Sequence, residues 1–134
     1  MSKKAAEFGL HLRLDMPYQQ AVERVKSALQ AEGFGVLTEI DVQATLKKKL
    51  NADFRNYVIL GVCNPPLAYR AFQADLDIGL FLPCNVIIYE DGPGSVVSIM
   101  DPISMLGVIQ NPELQPVGNE ACARLERVFK ALGG

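Results

Sequence analysis

A run of seven apolar residues, Tyr57-Val58-Ile59-Leu60-Gly61-Val62-Cys63, constrains the fold more than any other segment of this chain. Its length and its β-branched content favour a strand over a helix, and the lack of polar alternation favours a central strand covered on both faces. Asn64-Pro65-Pro66 stops the run, and proline suits the first position of a helix because its missing N–H costs nothing there. We therefore predict a central strand that ends at Cys63 and leads directly into a helix capped by Asn64.

On either side of this strand, segments with apolar residues at every second position alternate with segments in which apolar residues have helical spacing. Apolar residues at every second position predict a strand over residues 7–14, and helical spacing after Pro17 predicts a helix that ends at Gly33. The same reasoning predicts a strand over 35–40, a helix capped by Asp41, a hairpin of strands 84–89 and 95–100, a short helix from Asp101 to about Ile109, and a last helix. The order of these strands and helices along the chain predicts an α+β fold, with a mainly antiparallel sheet of about five strands and helices packed on it.

Composition and charge limit the classes of function. The chain has 134 residues, enough for a single domain over 1–134, and its 49% hydrophobic content is typical of a globular protein. A net charge of −2 argues against nucleic acid as a partner, and no apolar stretch reaches the ~18 residues that a membrane span needs. Three cysteines without an export signal are typical of a reducing compartment, so we expect a soluble cytoplasmic protein with unpaired thiols and no membrane partner.

Two similar elements mark the candidate site. Cys63-Asn64-Pro65 ends the central strand, and Pro83-Cys84-Asn85 begins the next one. If these strands are antiparallel neighbours, the two thiols lie close together although twenty residues separate them in the sequence. The N–H groups of the following helix are expected to favour a Cys63 thiolate and to lower its pKa. The alternative is that both cysteines are small core residues that serve only in packing.

Other candidate residues are less specific. Asp101 is expected to cap a helix or to join the ligand site, and Met105 is a candidate ligand for a soft metal ion together with the two thiols. Cys122 is expected in the core, and Lys47-Lys48-Lys49 is expected to be a solvated helix face. With one histidine, no Cys-x-x-Cys and no Gly-rich phosphate loop, the sequence identifies neither catalytic residues nor a cofactor, so enzymatic activity stays open.

Several motifs together resemble the domain of unknown function 302 family. They are Asn56-Tyr57-Val58-Ile59-Leu60-Gly61-Val62-Cys63-Asn64-Pro65, Gly79-Leu80-Phe81-Leu82-Pro83-Cys84-Asn85-Val86, and Asp101-Pro102 with Met105. The likeness extends over about residues 8–132. It implies a fold similar to the TATA-binding-protein-like α+β class, without implying DNA binding, and it brings no established activity or catalytic residue.

Three functional hypotheses remain open at this level. The first is a non-catalytic binding module that holds a small ligand or a soft metal ion beside Cys63 and Cys84. The second is a thiol redox protein that uses the same pair, which requires one accessible thiol with a lowered pKa. The third is a structural or interaction domain that acts as a homodimer, with both cysteines serving as packing.

Overall fold

One antiparallel sheet dominates the computed structural model, which describes residues 4–6, 9–102, 104 and 109–134. Its strands in chain order are β1 (Lys4–Ala6), β2 (Gly9–Leu14), β3 (Gly35–Asp41), β4 (Tyr57–Cys63), β5 (Cys84–Asp91) and β6 (Gly94–Met100). They lie side by side in the order β1-β2-β6-β5-β4-β3. The predicted antiparallel sheet is confirmed, with the three-residue β1 added to the five strands that the sequence predicts.

Four helices are described, together with two short 3₁₀ helices. They are α1 (Tyr18–Ala31), α2 (Val42–Leu50), α3 (Pro65–Ala74), α4 (Gln115–Ala131), η1 (Leu76–Phe81) and η2 (Pro112–Leu114). Helical spacing of apolar residues after Pro65 predicts that α3 extends to Leu76, and this was wrong, because α3 ends at Ala74 and Leu76 begins η1. The first two residues of the strand predicted over 7–14, and most of the helix predicted from Asp101 to about Ile109, lie outside the described residues.

The main core lies between one face of the sheet and the helices α1 and α4. Alternation along the strands brings Leu12, Leu60, Val62, Val86 and Ile88 to this face, where each is almost fully buried. Helical spacing turns the apolar stripe of α1 and the buried residues Leu125, Val128 and Phe129 of α4 onto them. Each fully buried side chain of this kind stabilises the fold by about 1.5–3 kcal/mol.

The interior strand β4 lies between β3 and β5, but its second face is covered only in part. On that face Tyr57, Ile59 and Cys63 are half-buried, so the predicted cover of both faces is complete on one face and partial on the other. Neighbouring side chains supply the partial cover, because Tyr89 stacks on Tyr57 with ring centroids 5.4 Å apart. This explains why the sequence shows no polar residue at alternate positions of β4.

The sheet ends on one side in an exposed pair of elements, β3 and α2. Strand β3 is an edge strand, its pairing with β4 is interrupted by an irregularity between Val36 and Thr38, and most of its residues are exposed. Helix α2 follows directly and is capped by the Asp41 carboxylate, which accepts a hydrogen bond from the Ala44 N–H at 2.9 Å. None of the residues of α2 is buried.

Candidate functional site

The candidate site lies at the end of the sheet where β4 finishes and β5 begins. These two strands are antiparallel neighbours, and the register places Cys84 opposite Val62, one residue before Cys63. Alternation therefore directs Cys84 toward the core face that it shares with Val62, whereas Cys63 belongs to the other face at the strand end. The two cysteines are close in space, unpaired and partly buried.

An apolar cavity of about 60 Å³ opens beside them. It lies between the sheet end, helices α3 and α4, η1, η2 and Pro102. None of the described residues around it is charged, and small side chains on the two facing helices leave the space unfilled. The lining residues are Phe34, Val62, Cys63, Asn64, Leu67, Ala68, Ala71, Ile78, Leu82, Cys84, Pro102, Leu114, Val117, Gly118 and Ala121.

Both thiols at the cavity stay protonated at neutral pH. Burial raises the pKa of Cys63. Burial also raises the pKa of Cys84, and the charge of Cys63 adds to this effect, which brings that pKa to about 11. The expectation that the helix after Cys63 would lower its pKa was therefore wrong.

The reason lies in the first turn of α3. Its first two residues are prolines, which carry no N–H, and the next two N–H groups are already bonded to Asn64. The Leu67 N–H donates to the Asn64 Oδ1 at 3.3 Å, and the Ala68 N–H donates to the Asn64 carbonyl at 2.9 Å. With these four positions accounted for, the helix start offers a thiolate little of the usual stabilisation.

Asn64 is the buried polar residue that holds this corner together. Besides capping α3, its Nδ2 donates to the Glu32 carbonyl at the end of α1, at 3.4 Å. The Arg124 Nη1 of α4 donates to the same carbonyl at 3.1 Å. One side chain thus joins the end of α1 to the start of α3 at the cavity wall, beside a contact from α4.

The remaining predicted ligand residues fall around the cavity and not on its wall. Pro83 follows a cis peptide bond and packs on Gly61, where an added Cβ would come within 2.8 Å of the Pro83 Cγ. Pro65 begins α3, and Asn85 is exposed opposite Gly61. Of the predicted set, the described cavity brings together Cys63, Asn64 and Cys84 but not Pro65, Pro83, Asn85 or Asp101. Met105 lies outside the described residues.

Asp101 instead faces the third thiol. The Cys122 Sγ lies 3.9 Å from the Asp101 Oδ1 and 3.9 Å from the Glu126 Oε1, and the Ser104 hydroxyl donates to the Asp101 Oδ2 at 3.0 Å. Burial and the two carboxylates raise the pKa of Cys122. The prediction of a core position for Cys122 was wrong, because this side chain is only partly buried and lies beside acidic groups.

Sequence reasoning missed most of the cavity wall. Leu67, Ala71 and Ala121 stand at apolar helix positions, and this pattern indicates burial without indicating which space stays empty. Among the described residues, no group of three or more His, Cys, Asp or Glu side chains is arranged to hold a metal ion. In the same part of the chain, no helix combines the length and apolar character required to cross a membrane.

Comparison with known proteins agrees with this architecture. A solved structure described as an uncharacterized conserved protein DUF302 from Bacillus stearothermophilus is similar to this chain, with 30% sequence identity and a TM-score of 0.85. The match covers 95% of this chain and 99% of that one. None of the curated proteins matches the sequence. A family model described as "Domain of unknown function DUF302" matches residues 10–132, and the chain therefore belongs to the DUF302 family.

Proposed function

We propose that this protein is a non-catalytic binding module whose cavity beside Cys63, Asn64 and Cys84 holds a small, uncharged and mainly apolar ligand. The observation that carries the proposal is the cavity itself, an apolar space of about 60 Å³. Ligand sites are typically concave and apolar with a few polar groups that fix orientation. Here the amide of Asn64 and the two protonated thiols are those groups.

The ligand is expected to be uncharged because none of the described residues that line the cavity compensates a charge. A carboxylate or an ammonium group moved into an apolar space loses its hydration, which costs several kcal/mol without a partner. No described lining residue carries a charge, and the raised pKa values keep both thiols neutral at pH 7. A hydroxyl or carbonyl group, by contrast, suits the neutral donors present.

A set of four-carbon probes tests the size and charge of the site. Butan-1-ol, butanoate and butylamine are titrated into ¹⁵N-labelled protein while amide chemical shifts are followed. We expect saturable shifts of the amides from Val62 to Leu67 and of Cys84 with the alcohol, and binding at least about tenfold weaker for either charged probe. Equal binding of butanoate contradicts an uncharged ligand, and no saturable shift with any probe contradicts the proposal.

A cavity-filling pair of variants tests the location. Ala121→Leu adds three carbons to a residue that lines the cavity, so it is expected to abolish binding of butan-1-ol. Ala123→Leu adds the same carbons to an exposed position of the same helix and serves as the matched control. Unchanged binding by Ala121→Leu places the probe elsewhere and contradicts the site.

A soft metal ion bound by the two thiols is the second candidate. It is favoured by one observation, the proximity through which the charge of Cys63 raises the pKa of Cys84. Binding must then displace both protons, so affinity rises with pH. Native mass spectrometry after exposure to Cu(I), with a Cys63→Ser, Cys84→Ser variant as control, tests it. The double variant loses the ion if the thiols bind it, whereas retained binding contradicts this candidate.

The raised pKa values speak against the redox hypothesis, since the thiolate is the reactive form. A redox pair requires at least one thiol that ionises near neutral pH. Rates of alkylation measured between pH 7 and pH 10 test this, and fast reaction of Cys63 at pH 7 would restore the hypothesis.

A further inference from the structure

One wall of the proposed ligand cavity is formed by the short 3₁₀ helix η1. Ile78 of η1 lines the cavity and is only 2% exposed, and Leu82, directly after η1, lines it as well. The outer side of the same helix faces solvent, since Leu76 and Leu80 are 82% and 86% exposed. This segment is therefore the single layer between that side of the cavity and water.

The hydrogen bonds that hold η1 are all local in the sequence. The Asp75 carboxylate caps the helix by accepting from the Asp77 N–H at 2.9 Å, and the Ile78 N–H donates to the Asp75 carbonyl at 3.2 Å. At the other end, the Leu82 N–H donates to the Gly79 carbonyl at 3.3 Å. Within the described part of the chain, no residue of η1 forms a hydrogen bond or an ion pair with another helix or strand. Apolar contacts alone fasten η1 to the elements around it.

The neighbouring helical walls are joined to each other by polar side chains. Helix α3 is capped by Asn64 and is joined to α4 by the Arg70 Nη1, which lies 3.2 Å from the Glu120 Oε1. Asn111 caps η2, and its Nδ2 also donates to the Ala74 carbonyl at the end of α3, at 3.2 Å. By contrast, η1 buries only one of its six residues. Segments with few buried apolar contacts open locally at the lowest free-energy cost, so η1 is expected to open before the other described helical walls.

We propose that η1 is the gate of the cavity, and that its transient opening admits and releases the ligand. This inference rests on the binding function proposed above. The contact of Ile78 with Ala71 and Leu114, a small buried cluster, is the latch of the closed gate. Its release breaks apolar contacts without breaking a polar bond to another element. Opening of short segments over ligand sites typically takes microseconds to milliseconds.

Two substitutions outside the cavity wall shift the opening of η1 in opposite directions. Gly79 has an ordinary φ, and an added Cβ would lie 3.4 Å from the Phe72 ring, in normal van der Waals contact. Gly79→Ala restricts the backbone of the open segment and is therefore expected to reduce opening about two- to fivefold. Asp75→Ala removes the cap and is expected to increase opening about fivefold. Neither residue lines the cavity, so the contacts with the ligand stay the same.

Two measurements on each variant are compared with the parent. Amide hydrogen exchange at Ile78 and Leu82 reports the opening of η1 without ligand, because these N–H groups carry its local hydrogen bonds. Line-shape analysis of ¹⁵N spectra during titration with butan-1-ol gives the association and dissociation rates. We expect Gly79→Ala to slow both rates and Asp75→Ala to speed both, each by the factor found in hydrogen exchange. The Kd is expected to stay unchanged, because the closed form is the more stable one with and without ligand.

Two control variants separate the cap from the charge. Asp77→Ala removes an exposed carboxylate of η1 that forms no hydrogen bond or ion pair among the described residues, and Asp75→Asn keeps an oxygen that accepts from the Asp77 N–H. Both are expected to keep the rates of the parent. A parent with no saturable shift overturns the binding function and the gate with it. Saturable binding with equal rates in parent, Gly79→Ala and Asp75→Ala overturns the gate alone, as does hydrogen exchange at Ile78 that neither substitution changes.

Discussion

Replacement of Cys84 by alanine is expected to change how the free energy of unfolding depends on pH. The thiol has an ordinary pKa of 9.0 in the unfolded chain and a pKa of about 11 in the fold. Below pH 9 both states keep the proton, so this stabilising contribution is fully present. As pH rises from 9 to 11, the unfolded chain loses its proton first, and the contribution is lost.

The magnitude follows from the two pKa values. The linkage relation gives a loss of about 0.4 kcal/mol at pH 9 and about 1.4 kcal/mol at pH 10, relative to pH 7. Because Cys84 is only partly buried, solvent screens part of this effect, and we expect about 1 kcal/mol at pH 10. The alanine variant has a lower free energy of unfolding than the parent at neutral pH. It has no thiol at this position, so it lacks the additional loss of unfolding free energy between pH 7 and pH 10.

Urea denaturation at pH 7, 8, 9 and 10 under a reducing agent measures the difference. The quantity of interest is the gap in unfolding free energy between parent and variant, which should narrow by about 1 kcal/mol from pH 7 to pH 10. Val86→Ala is the control, because it removes buried volume from the same strand without a titrating group and should keep a constant gap. A constant gap for Cys84→Ala would refute the burial that underlies the proposed neutral site.

Three further substitutions have expected outcomes. Gly61→Ala is expected to destabilise the fold by about 1–3 kcal/mol in urea denaturation, since the new Cβ meets the Thr38 Oγ1 and the Pro83 ring, whereas Gly35→Ala has open space and should cost almost nothing. Asn64→Ala should cost about 1–2 kcal/mol by loss of the cap, and Asn64→Asp should recover part of it, so equal losses contradict the capping role. Asp101→Asn should speed alkylation of Cys122 at pH 8 several-fold, measured by peptide mass mapping, because a neighbouring negative charge is removed; an unchanged rate contradicts that contact.

Local patterns were sufficient to predict most elements of this fold. The apolar run at 57–63 matches β4 residue for residue, and β5 and β6 form the predicted hairpin, with Asp91 paired to Gly94 at its turn. Each of these signals is carried by neighbouring residues in the sequence. The cover of β4 was harder to predict, because a continuous apolar run is compatible with a second face shielded by helices or, as here, by adjacent side chains such as Tyr89.

The proximity of Cys63 and Cys84 was predictable from the sequence, whereas the contact between Cys122 and Asp101 was not. Antiparallel pairing of two successive strands is enough to bring Cys63 toward Cys84, and the register agrees. The raised pKa of Cys63 was also within reach of the sequence, since Pro65 and Pro66 remove two of the N–H groups on which a lowered value depends. The surroundings of Cys122 could not be predicted from the sequence. Its contact with Asp101 joins segments 21 residues apart, and their approach depends on tertiary packing.

Small residues border the cavity between α3 and α4, and the effect of filling it on binding separates the binding proposal from a packing defect. The core around Leu60 and Val86 is fully buried, while the space between α3 and α4 is bordered by Ala71, Gly118 and Ala121. Larger apolar side chains there would gain about 0.8 kcal/mol for each buried CH₂, so the small ones forgo stability. A site kept open for a ligand predicts that filling variants gain stability as they lose binding, which is the usual conflict between stability and function. An accidental void predicts the same gain in stability with no binding to lose.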